Sequence, residues 1–478
     1  MPMTTILAID QGTSGTKAII VDPVDGVLAV AEEPVRPSYL GAGGVEQDPG
    51  QLLASVLASG RRAVQAAGRT ADVIALANQG ETVMAWDPIT GTPLSPAIGW
   101  QDRRAEKLCA GLAGDKQWVA QRTGLVLDPY FSAPKMAWLR RTVTTEGVVT
   151  TTDTWLVWHL TGEYVTDAST ASRSLLTGLD TGEWDPELLS LFELGDEPLP
   201  AIVASDQIVG TTQEFGRPAP VAGLILDQQA ALAAEGCLEA GTAKCTFGTG
   251  AFLLANSGGR AARSASGLTT SVAWRARGHT LYCLDGQVYT AASAIRWIQD
   301  LGLIGTVADL DLAAAVDGDG TLCVPALAGL AAPWWRSDAT ASFTGMTLST
   351  RPGHLVLAVL QGIAAQVAEL ADLVQTDVGA PLTRLRADGG LTQSRTLMQA
   401  TADLLQVPVE VYPSPNATAL GAAALGRLAV EPALNLPEAI LDWTAPDSYE
   451  PKWSADRAAE HRARWRAAVS ATLPSELA

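Results

Sequence analysis

Ile6-Leu7-Ala8-Ile9-Asp10-Gln11-Gly12-Thr13-Ser14-Gly15-Thr16-Lys17-Ala18-Ile19-Ile20-Val21 is the stretch that decides how this chain folds. Ile6 to Ile9 is an apolar strand that ends on Asp10, and Lys17 to Val21 is a second strand. The small residues between them form a tight reversal, so the expectation is a β-hairpin with a Gly/Thr/Ser tip. It is not the strand–GxxxxGK–helix of a P-loop, although both use small residues to bring backbone N–H groups close to phosphates. Asp10 sits at the strand end, where a cation bound to a phosphate chain would lie. Capping a turn is the plainer use of an Asp there.

The pattern recurs 236 residues later. Ala243-Lys244-Cys245-Thr246-Phe247 reads as a strand, Gly248-Thr249-Gly250 as a tip, and Ala251-Phe252-Leu253-Leu254-Ala255 as the return strand. Two copies half a chain apart predict a duplicated α/β unit, with both tips facing one cleft. With 478 residues the chain is too long for one ordinary core and is divided into 1–239, 240–435 and an extension, 436–478. Apolar spacing predicts helices over 51–67, 353–376, 394–405 and 417–430, and strands over 73–76 and 382–387. The arginine-bearing stretch 455–472 reads as a surface helix whose charged face is solvated.

Hydrophobic residues make up 47% and charged residues 17%, as in a packed globule. The net charge of −19 argues against nucleic-acid or anionic-membrane partners. Met1 to Thr5 carry no basic leader, and no apolar run is expected to span a membrane, so a cytoplasmic protein is expected. Cys109, Cys237, Cys245, Cys283 and Cys323 show no CxxC pairing and read as free thiols.

Three further groups carry chemistry. Leu224-Ile225-Leu226-Asp227-Gln228-Gln229 is a strand that delivers a carboxylate and two amides to the start of a helix. Asp227 can take a proton from a hydroxyl, or simply cap that helix. Asn78-Gln79-Gly80-Glu81-Thr82, Trp100-Gln101-Asp102-Arg103-Arg104 and Asp128-Pro129-Tyr130-Phe131-Ser132 combine aromatic faces with fixed polar groups, as polyol and sugar sites do. Arg386-Ala387-Asp388-Gly389-Gly390-Leu391 turns from strand to helix through two glycines, which lets backbone approach a nucleotide.

In this order, from about Thr5 to about Val430, these segments resemble the FGGY carbohydrate kinases. They are most similar to the members that phosphorylate glycerol. Asp153 to Trp158, Thr170-Ala171-Ser172-Arg173, Ala341 to Gln361 and Thr418 to Ala423 add to the likeness. The resemblance implies the actin-like ATPase fold, α/β throughout, with two RNase-H-like domains closing on ATP, Mg²⁺ and a small polyol or sugar. It implies Asp227 as general base, with Asp10 and Asp227 at the metal. It places Gly12, Thr13, Ser14, Lys17, Gly248, Thr249, Arg296, Gly389, Gly390 and Ser394 on the nucleotide. It places Gly80, Glu81, Trp100, Tyr130, Asp227, Gln228 and Phe252 around the acceptor. A homodimer or homotetramer is the expected assembly.

Three departures stand out. Gly80 replaces an arginine that contacts glycerol hydroxyls in the family, which predicts space for a longer acceptor such as a tetritol, pentitol or ketopentose. Arg296 stands in place of a usual Gln, and Ser394 in place of a usual Asn. The reading from another class is an actin-like nucleotide switch. It would share the hairpins but not the set Glu81, Trp100, Tyr130 and Phe252.

Overall fold

The computed structural model describes residues 4–473. Met1 to Met3 and the last five positions of the expected extension lie outside the described residues. Strands β1 (Ile6–Gln11), β2 (Gly15–Asp22) and β3 (Gly26–Pro34) form an antiparallel meander. Helix α1 (Pro49–Ala67) opens on Asp48, which accepts from Gly50 N–H, and closes on left-handed Gly68. Strand β4 (Val73–Asn78) runs parallel to β1. Strand β5 (Gly210–Thr212) pairs antiparallel with β6 (Ala219–Leu226), which lies parallel to β4. The first sheet therefore has the order β5-β6-β4-β1-β2-β3.

The second sheet repeats this plan. Strands β7 (Ala243–Phe247), β8 (Ala251–Gly258), β9 (Thr269–Ala276) and β10 (His279–Val288) form the antiparallel part. Strand β11 (Leu385–Asp388) is parallel to β7, β12 (Val409–Val411) is parallel to β11, and β13 (Ser448–Tyr449) closes the edge. The order is β9-β10-β8-β7-β11-β12-β13. In both sheets a hairpin strand pairs with its return strand on one side and with a parallel strand on the other. That shared plan is the duplication expected from the repeated hairpins.

The hairpin tips are tighter than the sequence suggests. Gly12 N–H donates to Gly15 O at 3.0 Å, and Gly248 N–H to Gly250 O at 2.9 Å. Gln11 still pairs with Thr16 and Phe247 with Ala251, so the two ladders leave four and three residues at their tips. The strands are buried on both faces, and each fully buried Ile or Leu, such as Ile9 or Leu253, contributes about 1.5–3 kcal/mol.

The sequence halves interlock. Helix α2 (Asp227–Ala234) follows β6, and α3 (Ala417–Val430), from the second half, packs on the first sheet beside Ile6, Ala8 and Ala75. A Cβ on Gly421 would lie 1.9 Å from Ala230 O, so these helices cross at backbone distance. Residues 436–473 do not stand apart. Their strand β13 joins the second sheet, and the helix Ala455–Thr472 buries Trp465 in the second core. The expected solvated helix is therefore half right: Arg462 and Arg466 pair with Glu369 and Asp372, and its other face is packed. The expectation that no run is long and apolar enough to span a membrane is corrected by the helix Pro352–Val378, which passes on length and composition. It lies in the second core, with Leu360, Ile363 and Val367 fully buried, and that packing explains its apolar length.

Candidate active site

Asp227 is the first residue after β6, so the strand sets its position and the start of α2 its orientation. Its Oδ1 accepts from Gln228 N–H at 2.6 Å. Burial, then the charges of Asp10 and Glu81, push the Asp227 carboxyl up to about 7. Burial also pushes Asp10 up to about 6, with Lys17 opposing. A carboxylate poised near neutrality is suited to take up a proton.

The residues expected around the acceptor converge from far apart in the chain. The Trp100 ring meets Tyr130 at 5.6 Å and Phe252 at 6.2 Å, both edge-on. Trp100 Nε1 donates to Thr13 Oγ1 at 2.9 Å, which ties this aromatic wall to the first hairpin tip. Arg103 pairs with Asp128 at 2.9 Å, and Asp128 accepts from Tyr130 N–H, so the two loops brace each other. Lys135, fully buried, donates to the carbonyls of Pro129, Tyr130 and Phe131 at 2.5–2.9 Å and fixes that loop. Sequence reading missed Lys135, although a lysine inside an apolar helix face was a visible signal.

Glu81 is buried and has φ +51, next to Gly80 at φ +52. Thr82 N–H donates back to Gly80 O at 2.6 Å, and this turn aims the Glu81 side chain inward. A non-glycine residue held in the left-handed region costs about 1 kcal/mol or more and is concentrated at functional sites. Sequence reading also missed Lys244. It is buried on β7 and donates to Gln228 Oε1 and Thr246 Oγ1, both at 2.6 Å.

The expectation of open space at Gly80 is corrected. In the direction a side chain would leave Gly80, Leu226 Cδ1 lies only 2.5 Å from the would-be Cβ. Leu226 is buried and belongs to none of the apolar cores. It fills the volume that the glycine leaves.

The residues expected on the nucleotide divide. Gly248 would bring a Cβ no nearer than 3.8 Å to any neighbour, and Gly390 meets nothing within 4 Å, so both face open space. Gly389 has φ +93, and a Cβ there would strike Phe247 O at 2.5 Å, so the protein itself requires that glycine. Thr249 and Ser14 are exposed, and Thr249 O receives Ala291 and Ser293 N–H groups. Lys17 is engaged within the protein, with Glu32 at 3.1 Å and Pro415 O at 3.2 Å. The Ser394 hydroxyl caps the helix Arg395–Leu405 and donates to Asp311 at 2.8 Å. The Arg296 side chain is exposed and makes no hydrogen bond or ion pair within the described residues.

The N-terminal domain of the FGGY family of carbohydrate kinases matches residues 5–234, and its C-terminal domain matches residues 243–430. Glycerol kinase of Alkalilimnicola ehrlichii is 42% identical, covering 98% of each chain. Among solved structures, Plasmodium falciparum glycerol kinase with ADP superposes at a TM-score of 0.91, with 31% identity and 98% of each chain covered. A xyloylose kinase of Brucella ovis superposes at 0.89, with 26% identity over 98% of this chain and 99% of that one.

Proposed function

This chain belongs to the FGGY family of carbohydrate kinases, and from that premise we propose that it moves the γ-phosphoryl group of ATP to a hydroxyl of glycerol. The observation that carries the reading is Asp227. It is a half-buried carboxylate shifted to about 7, within electrostatic reach of Glu81 and of Tyr130 in the Trp100–Tyr130–Phe252 wall. The 42% identity to a glycerol kinase over nearly the whole chain supports the choice of acceptor.

In this reading Glu81 and Gln228 hold acceptor hydroxyls, and the aromatic wall packs against the C–H face. Asp227 accepts the proton of the attacking hydroxyl, and Lys244 fixes the Gln228 amide that orients it. Gly12, Gly248 and Gly390 offer backbone to the nucleotide, because little besides their own loops approaches them. Asp10 and Asp227 fit a hard divalent cation. Both are oxygen donors, their mutual repulsion raises Asp227, and neither has an ion-pair partner among the described residues. When bound, Mg²⁺ would neutralise charge on the transferring phosphate oxygens. Five buried, unpaired cysteines accord with a cytoplasmic location.

A four- or five-carbon acceptor is the alternative reading, and it finds no added room at Gly80, because Leu226 stands in that space. ATP consumption should be measured against glycerol, erythritol, threitol, xylitol and xylulose. Turnover led by glycerol is the expected result, and no turnover of any of them would overturn the reading. Asp227→Asn should lower turnover about 10²- to 10⁴-fold. A loss of only a few-fold would remove Asp227 from the role of base.

A further inference from the structure

Arg173 is buried to 3% exposure, and it lies between two equally buried carboxylates. Its Nε donates to Glu81 Oε1 at 2.6 Å, and its Nη1 donates to Asp285 Oδ2 at 2.8 Å. Glu81 belongs to the first half of the chain, and Asp285 lies on β10 of the second sheet. Arg173 ends the short helix Ala168–Ser172, whose Ser172 hydroxyl accepts from Val272 N–H on β9. The guanidinium carbon stands 5.6 Å from the Tyr130 ring and 5.2 Å from the Phe131 ring. Gln287 and Thr269 crowd the same Asp285 oxygen at 3.4 Å, while Asp285 Oδ1 is buried without a partner.

We propose that Arg173 is the positioning residue of the acceptor pocket, holding the Glu81 carboxylate charged and aimed by anchoring it to Asp285 on the second sheet. The inference rests on the acceptor reading of Glu81 given above. A planar guanidinium can hold two carboxylates at fixed angles, which an ammonium cannot. Glu81 needs such an anchor, because its strained backbone alone leaves the side-chain torsions free. One carboxylate oxygen is taken by Arg173, and the other has no partner among the described residues. That oxygen is left to accept from a substrate hydroxyl.

The charged and titratable groups facing Glu81 are Arg173, Lys135, Asp285, Tyr130 and Asp227. Burial pushes Glu81 up, and Arg173 opposes it most strongly. Losing the guanidinium would therefore leave Glu81 protonated over a wider pH range, and a protonated carboxyl is a poorer acceptor.

The test compares Arg173→Gln, Arg173→Lys, Asp285→Asn, Glu81→Gln and the double variant Arg173→Gln/Glu81→Gln with the parent. Acceptor KM is read from steady-state kinetics, and MgATP affinity from calorimetry without acceptor. Arg173→Gln should raise the glycerol KM about tenfold or more, the scale of one charge-assisted contact, with MgATP affinity within about twofold. Arg173→Lys should restore less than half of that loss, and Asp285→Asn should move the same KM by a smaller factor. The double variant should be no worse than Glu81→Gln alone, since Arg173 acts through that carboxylate. If Arg173→Gln does not fold, Asp285→Asn and Arg173→Lys decide. Unchanged acceptor KM in the folded variants, or equal losses of acceptor and MgATP binding, would overturn the proposal. A parent that phosphorylates no polyol would instead sink the acceptor reading itself, and this inference with it.

Discussion

The two glycine hairpins are alike in backbone and opposite in chemistry. Both β1–β2 and β7–β8 close on a single short N–H···O contact between glycines, and both lie beside a parallel strand. In each, the later glycine is required by the protein. A Cβ on Gly15 would lie 2.9 Å from Glu33 O, and one on Gly250 would lie 2.4 Å from Val288 O. The earlier glycine has more freedom: Gly12 would meet only Gly15 O at 3.3 Å, and Gly248 only Gly250 O at 3.8 Å. The charges differ. The first hairpin leads from Asp10, while the second leads from Lys244 and Thr246, which bond each other. One plan was used twice, once leading from a carboxylate and once from an ammonium. A repeated backbone therefore does not imply a repeated role.

The largest expected effect tests that difference of charge. Asp10→Asn should cut kcat/KM about 10²-fold or more, because a hard oxygen ligand and its charge are lost together. Its pH profile carries the sharper result. Asp10 is among the causes raising Asp227, so its removal lowers the Asp227 pKa and moves the acid limb of the remaining activity to lower pH. An acid limb that stays near 7 in Asp10→Asn would show that the two carboxylates do not communicate.

The second prediction separates the glycines. Gly250→Val should abolish soluble, folded protein or lower Tm by about 10 °C or more, since the backbone oxygen of Val288 cannot yield. Gly248→Val should fold with nearly parental Tm and bind MgATP at least about tenfold more weakly, a loss typical of one or two hydrogen bonds. Calorimetry and thermal melts check both. Equal damage from the two substitutions would mean that the tip is a structural unit and not a phosphate cradle.

A third, smaller effect extends the same distinction to Gly80, which is hemmed in as Gly250 is. Gly80→Arg alone should lower activity on every acceptor, because the new side chain meets Leu226. Combined with Leu226→Gly, it should raise kcat/KM for glycerol relative to xylitol about tenfold. A single variant that already gains glycerol activity would show that Leu226 moves aside freely.

The smallest effect is on stability. Asp227 is raised from 3.8 to about 7 in the folded chain, so its burial costs stability increasingly as pH rises from 4 to 7 and levels off above that. Asp227→Asn removes this cost. It should raise Tm by a few degrees at pH 8 and by less at pH 5, measured without ligand. An equal gain at both pH values would contradict the raised pKa.

What the sequence alone determined is what is local. The hairpins are visible because β-branched strands and a glycine tip pair residues only a few positions apart. Helix 417–430 was readable to its ends, and 455–472 likewise, because period and caps lie within one segment. Asp10, Asp227 and the Trp100 and Tyr130 segments stood out because their residue types announce a chemistry. The family order then made them one site. Only the tertiary structure decided which groups meet. Arg173 lies 92 positions from Glu81 and 112 from Asp285, and Leu226, at the end of β6, occupies the space beside Gly80. No periodicity encodes such meetings. They follow from where the chain crosses between the two sheets, and there burial makes an unpaired charge costly, which favours pairing Arg173 with Glu81 and Asp285.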